Sequence, residues 1–202
     1  MPRPRAGKVV LDRAAVVRKA AALVNAEGAA GLTINRLARE LGVQPPSLYN
    51  HISGLADLRH ELALLSTQAL GECIINAVIG KSGADGIIAA AQAYRKYIKD
   101  YPGLYQSSLR ASGNFTLPDP ALGAAEERVV QVILALIDSL GLTGEDAIHA
   151  ARAFRSIVHG FTMLEVAGGF GIPLDLDESF TRLVQMLVRG IEKEGKRIGQ
   201  VE

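Results

Sequence analysis

Apolar residues recur along this chain at helical intervals, and strand-like alternation is scarce. Val17, Ala20, Ala21 and Val24 stand at i, i+3, i+4 and i+7, the spacing of one buried helix face. Asp12 precedes them as an N-cap, because its carboxylate can accept from the first unpaired amides, and Gly28 ends the run. Ile34, Leu37, Ala38 and Leu41 repeat the interval between a Thr33 cap and Gly42. Pro45 and Pro46 follow. Proline is tolerated in a first helical turn, where the amide would be unpaired anyway, so a third short helix is predicted over 47–51. Leu55, Leu58, Leu62, Leu65 and Ala69 stripe a long fourth helix, opened by Ser53 and Gly54 and reaching about Val78.

Residues 80–86, with three glycines, read as a loop. Beyond it Ile87, Ala91, Tyr94 and Ile98 mark a helix that Pro102 must end near Asp100. A short helix is predicted over 103–111, and long ones over 121–140, 144–166 and 178–193. The fold class is therefore all-α with about nine helices, and the module boundary falls inside the fourth.

Composition narrows the function. At 202 residues and 49% hydrophobic, the chain can bury a real core, and a formal net charge of +1 is unlike a disordered polyelectrolyte. Cys73 stands alone, so no internal disulfide forms, and a reducing cytoplasm is the expected location. The apolar run 129–137 falls far short of the roughly 20 residues that span a bilayer, so no membrane partner is expected. Near the start, Asp12 and Arg13 cut off any signal-peptide core. The near-neutral total would argue against nucleic acid, yet it is an average. Residues 1–60 carry +5 and the remaining 142 carry −4. A basic head on an acidic body suits a head that meets a polyanion; chance plus an ordinary basic tail is the other reading.

The second and third helices separate these readings. Ala38 puts only a methyl where the two helices must cross, and Gly42 supplies a turn residue able to take positive φ. Leu48 returns an apolar side chain to the core. The positions left outside are Gln44, Ser47, Tyr49, Asn50 and His51, all hydrogen-bonding side chains, where a merely solvated face would carry Lys and Glu. Amides and hydroxyls on such a helix can read base edges in a major groove, while Tyr, His or Ser can hold phosphates.

The segment from Thr33 to Val43, with Ser47-Leu48-Tyr49-Asn50-His51-Ile52, resembles the DNA-binding domain of the TetR/AcrR family of transcriptional regulators, in register over residues 12–65. The resemblance implies a flexible basic arm at 1–11, a helix-turn-helix DNA-binding domain at 12–60 and a ligand-binding and dimerisation domain at 61–202. It implies a homodimer on a palindromic double-stranded DNA operator, a repressor that leaves when a small apolar effector binds. By position, Thr33, Tyr49 and His51 would contact phosphates, and Asn35, Gln44, Ser47 and Asn50 would read or adjoin bases. Leu55 replaces the family's usual phosphate-binding Lys, with Arg59 one turn on as the substitute; Pro45 removes one usual polar reader. The basic start, with Arg3, Arg5 and Lys8, is either a disordered tail or an arm for an adjacent minor groove.

The stretch from Phe154 to Glu165, with His159-Gly160, resembles the Trp-His-Gly (WHG) type of TetR C-terminal domain, with Val158 in place of the Trp. Ala147, Ala151, Phe180, Leu183, Val184, Leu187 and Ile191 lie on wide apolar faces of the last two helices, either core or a four-helix dimer interface. Tyr97, Tyr101, Tyr105, Phe115, Phe154, His159 and Met163 are the candidates for a mostly apolar pocket, each open to the plainer reading of core packing.

An enzyme is the rival from another class. The four His never join Cys or carboxylates at metal-ligand spacing, and Gly168-Gly169-Phe170-Gly171 lacks the Lys of a phosphate loop, so no catalytic residue, metal or cofactor is expected. A DNA-binding repressor without a ligand is the remaining alternative.

Overall fold

The computed structural model describes residues 11–111 and 119–198. Of the expected features, most of the basic arm and Phe115 lie outside them. Among the described residues there are nine α-helices and no strand. They are α1 (Arg13–Glu27), α2 (Ile34–Leu41), α3 (Pro45–Leu48), α4 (Leu55–Val78), α5 (Gly83–Asp100), α6 (Pro102–Ala111), α7 (Pro120–Asp138), α8 (Gly144–Val166) and α9 (Leu176–Ile198). No helix among them is long and apolar enough to cross a membrane.

Local chemistry sets these limits. Asp12 Oδ1 accepts from the Ala15 amide at 2.6 Å, and Thr33 Oγ1 accepts from the Arg36 amide at 3.1 Å. Gly28 ends α1 at φ +79. Three expectations are corrected. The third helix begins at Pro45 and ends at Leu48, because both prolines sit in its first turn, and only turns continue to His51. Residues 83–86, expected as loop, form the first turn of α5, and Gly86 is buried there under the Leu136 side chain, with no room for a Cβ. The last helix is longer at both ends, and its Gly195 is needed where a Cβ would meet the Leu140 carbonyl oxygen.

The chain divides into two compact units. One runs to Ser66 and takes up again from Gly103; the other holds Thr67–Pro102 and the chain from α7 onward. The expected boundary at residue 60 had no counterpart to this second segment. In the first unit, Val16, Ala20, Val24, Leu37, Ala38, Leu48, Ile52, Leu58 and Leu62 form a buried cluster from α1 to α4, which Leu104 of α6 completes. α6 is seated closely on α1: a Cβ at Gly103 would overlap the Val24 carbonyl, and the Leu104 amide donates to Asn25 Oδ1 at 2.8 Å. In the second unit α5 packs against α7, α8 and α9. There the Arg95 guanidinium, 5% exposed, donates twice to Glu165 at 2.7 and 2.8 Å and pairs with Asp177 at 2.7 Å. It also lies over the rings of Phe161 and Phe180, 5.7 and 4.8 Å from their centroids. Lys99 adds a bond to Glu165 at 2.6 Å.

Candidate nucleic-acid interface

The turn between α2 and α3 is built on one glycine. Gly42 adopts left-handed backbone at φ +70, which places its amide 3.2 Å from the Arg39 carbonyl and the Val43 amide 3.0 Å from the Ala38 carbonyl. The last carbonyls of α2 are thereby satisfied, and the chain reverses in the fewest residues. Ala38 and Leu48 are buried against each other's cluster, so α3 is held by its inner side alone. Its outer side carries the polar groups. Gln44 caps α3 by position without using its side-chain amide, Tyr49 is 57% exposed, and Asn50 is exposed; Ser47 and His51 are half-buried. On α2, Asn35 is exposed in the first turn, and Thr33 beside it keeps a hydroxyl hydrogen to donate, since capping uses only an oxygen lone pair.

Beyond α3, Leu55 packs on the hydrophobic cluster, and Arg59, exposed, has no ionic partner among the described residues. Arg18 and Arg39 are likewise exposed and unpaired there. The other described head cations are engaged: Lys19 meets Glu40 at 3.2 Å, and Arg36 meets Glu27 at 2.6 Å and Glu40 at 3.3 Å. Counting charges along the sequence therefore overstates what the head can offer a phosphate. It also omitted Glu61, which belongs to the first unit.

The residue that sequence reasoning missed is Arg13. One of its terminal nitrogens donates to the His51 carbonyl at 2.7 Å and to Asp57 Oδ2 at 3.0 Å; the other reaches Asp57 Oδ1 at 2.6 Å and Glu61 Oε1 at 2.7 Å. Asp57 Oδ2 also accepts from the Ser53 amide at 2.7 Å, capping the start of α4. The first turn of α1 thus fastens the end of the α3 turn to the first turn of α4. Hydrogen bonding from Arg13, helped by the Ser53 amide, holds the Asp57 carboxyl below the usual carboxylate range. The same bonds to Asp57 and Glu61 raise the Arg13 pKa. In the sequence, only an acid in the first turn of α4 hinted at this.

The predicted pocket residues differ in burial. Tyr97, Tyr105 and Phe154 are buried, Tyr101 is exposed, and His159 and Met163 are half-buried. Tyr105 falls in the first unit and the other five in the second. Burial, with the nearby Arg155, lowers the His159 pKa and favours the neutral ring. Of the interface candidates, Ala147, Phe180, Val184 and Ile191 are buried inside the chain and serve its own core. Ala151, Leu183 and Leu187 are half-buried, and the exposed Ile148 and Met186 lie one turn from them.

Comparison with known proteins agrees with this architecture. Residues 87–187 match the family model described as the tetracyclin repressor-like C-terminal domain. The chain is 36% identical to the HTH-type transcriptional regulator Rv0681 of Mycobacterium tuberculosis, over 95% of this chain and 90% of that protein. It is 31% identical to the HTH-type transcriptional regulator YobS of Bacillus subtilis, over 96% of this chain and 98% of that one. In fold it is similar to BioQ, solved with its natural double-stranded DNA operator, at a TM-score of 0.67 and 23% identity, covering 90% and 98% of the two chains. The chain belongs to the TetR family of DNA-binding transcriptional regulators, which are not enzymes.

Proposed function

We propose that this regulator is a homodimeric repressor that holds a two-fold-symmetric operator and releases it when a small, largely apolar molecule binds its second unit. The observation that carries the reading is the polar rim around α3, where Gln44 at its N-cap and Tyr49 and Asn50 in the turn after it stand exposed while Leu48 commits the short helix to the core. Gln44, Ser47 and Asn50, with Asn35 on α2, supply the donor and acceptor pairs that base edges require. Thr33, Tyr49, His51 and Arg59 supply phosphate contacts. A palindromic site needs two such heads, and the exposed side of α8 and α9 around Ile148, Ala151, Leu183, Met186 and Leu187 supports self-association, with Met186 60% exposed.

The test is fluorescence anisotropy on labelled duplexes from the DNA upstream of the protein's own gene, beside sedimentation of the free protein. Saturable binding at two chains per duplex and a dimer at micromolar concentration are expected. Asn50→Ala should weaken the specific site and leave random duplex binding alone. Equal affinity for random duplex would overturn operator recognition, and a monomer on DNA would overturn the dimer.

A further inference from the structure

Arg36 stands where local chemistry favours the opposite charge. It is the third residue of α2, and Thr33 caps that helix by accepting from the Arg36 amide at 3.1 Å. A carboxylate at this position would answer the cap's own amide, and a cation in a first helical turn opposes the helix dipole. Residues that break a local rule are expected where function requires them.

The bonding of Arg36 in the free chain is also incomplete. One terminal nitrogen, Nη2, takes both partners, Glu27 at 2.6 Å and Glu40 at 3.3 Å. Nη1 makes no hydrogen bond among the described residues, and Nε is buried there without a partner. Arg95, by contrast, engages Nε and both terminal nitrogens. A guanidinium carries five donors in a planar fork, so Arg36 is held by a fraction of what it can bond. Its partners do not depend on it. Glu40 keeps Lys19 at 3.2 Å, and the Lys19 bond, ahead of the Arg36 charge, holds the Glu40 carboxyl below the usual carboxylate range. Glu27 is 45% exposed and can return to water.

We infer that Arg36 is a phosphate ligand held in reserve: Glu27 and Glu40 restrain it in the free chain, and it turns to the DNA backbone beside Thr33 once α3 is seated in the groove. Given the reading of α3 and Thr33 proposed above, on which this assignment rests, the distances are short. The cap bond sets Thr33 against Arg36, so a phosphate at the Thr33 hydroxyl stands within reach of the guanidinium. Phosphate can accept two parallel bonds from the arginine fork, which the two carboxylates here do not. A loosely held random duplex brings no phosphate to that place, and the carboxylates then keep the charge. Arg36 thus adds to operator binding and little to random binding.

Anisotropy titrations of the full chain across a salt series, on operator and random duplexes, test this in the wild type, Arg36→Gln, Glu27→Gln and the double variant. Arg36→Gln should weaken operator binding about tenfold for each head, lower the salt slope by about two, and leave random binding unchanged. Glu27→Gln should act the other way, strengthening random binding severalfold with a steeper slope. That gain should vanish in the double variant, because the freed guanidinium is its source. Thermal melts confirm that each variant is folded. A mere tie between α1 and α2 would weaken operator binding in both single variants at unchanged slope, and that result would overturn the reserve. So would a Glu27→Gln gain that persists without Arg36, the general effect of removing an acid near DNA. If the wild type does not prefer operator but the gain on random duplex requires Arg36, the reserve stands and the reading of α3 falls. If operator is preferred and no slope moves, the reading of α3 stands and the reserve falls.

Discussion

Each unit contains an arginine that gathers two carboxylates, and the two are used in opposite ways. Arg95, in the second unit, is almost wholly removed from water and lies over two phenylalanine rings. Arg13, in the first, keeps 43% of its side chain exposed. A desolvated cation is costly unless every donor is engaged, so the Arg95 cluster is an all-or-none joint between α5, α8 and α9. A half-exposed pair contributes little to stability because water competes for it. What Arg13 contributes is placement: its bond to the His51 carbonyl fixes backbone within the segment whose side chains are proposed to face DNA. The buried arginine joins three helices of its unit, and the exposed one positions the backbone of the proposed reading surface.

The comparison breaks most visibly at Arg95. Arg95→Met should lower the unfolding free energy by about 3 kcal/mol, the low end for an orphaned buried partner, since Lys99 still reaches Glu165. Urea titration reads this, and a loss below about 1 kcal/mol would show that the joint is dispensable. Gly103→Ala, at the closest approach within the first unit, should destabilise by about 1–3 kcal/mol through overpacking against Val24. An unshifted melting temperature would contradict that contact.

Arg13→Gln should change stability by less than about 1 kcal/mol. Operator affinity should nevertheless fall about tenfold, or about 1.4 kcal/mol. Because Arg13 acts through backbone rather than phosphate, the slope of log affinity against log salt should stay the same. Arg59→Gln, which removes one phosphate contact from each of the two proposed heads, should lower that slope by about two. Identical slopes for the two variants would erase the distinction between placing and contacting.

The smallest effect is in pH. Arg13 hydrogen bonding depresses Asp57. Burial would raise Glu165, and bonds from Arg95 and Lys99 overcome it to leave that carboxyl depressed as well. Both groups therefore stabilise the fold fully above the unfolded carboxylate range near pH 4, and that contribution is lost as pH falls below it. Urea midpoints should drop toward pH 3, and Asp57→Asn should flatten part of the drop.

Helix limits were legible where a residue acts on its own neighbours: the Asp12 and Thr33 caps, the Gly28 and Gly42 stops, the proline that opens α6. They failed where a distant group decides, as at Gly86 beneath Leu136 and Gly195 against Leu140. The proposed reading surface was visible because exposed polar residues around a proline-opened turn are a local pattern. Arg13 was not, since its partners lie 38 to 48 residues away and only folding brings them together. Arg95 is a case of the same kind, with Glu165 70 residues away.

The return of the chain at Gly103 has a consequence for anyone recombining these regulators. Leu104 fills a place in the head's core that nothing before residue 67 supplies. A cassette of the first 66 residues, spliced onto another regulator's body, would carry a hole at that place, and the new host's sixth helix would have to plug it. Swapping α6 together with the head keeps plug and socket from the same parent. The packed core of such a head is thus inherited through two separate stretches of gene, the second of them beginning at Gly103.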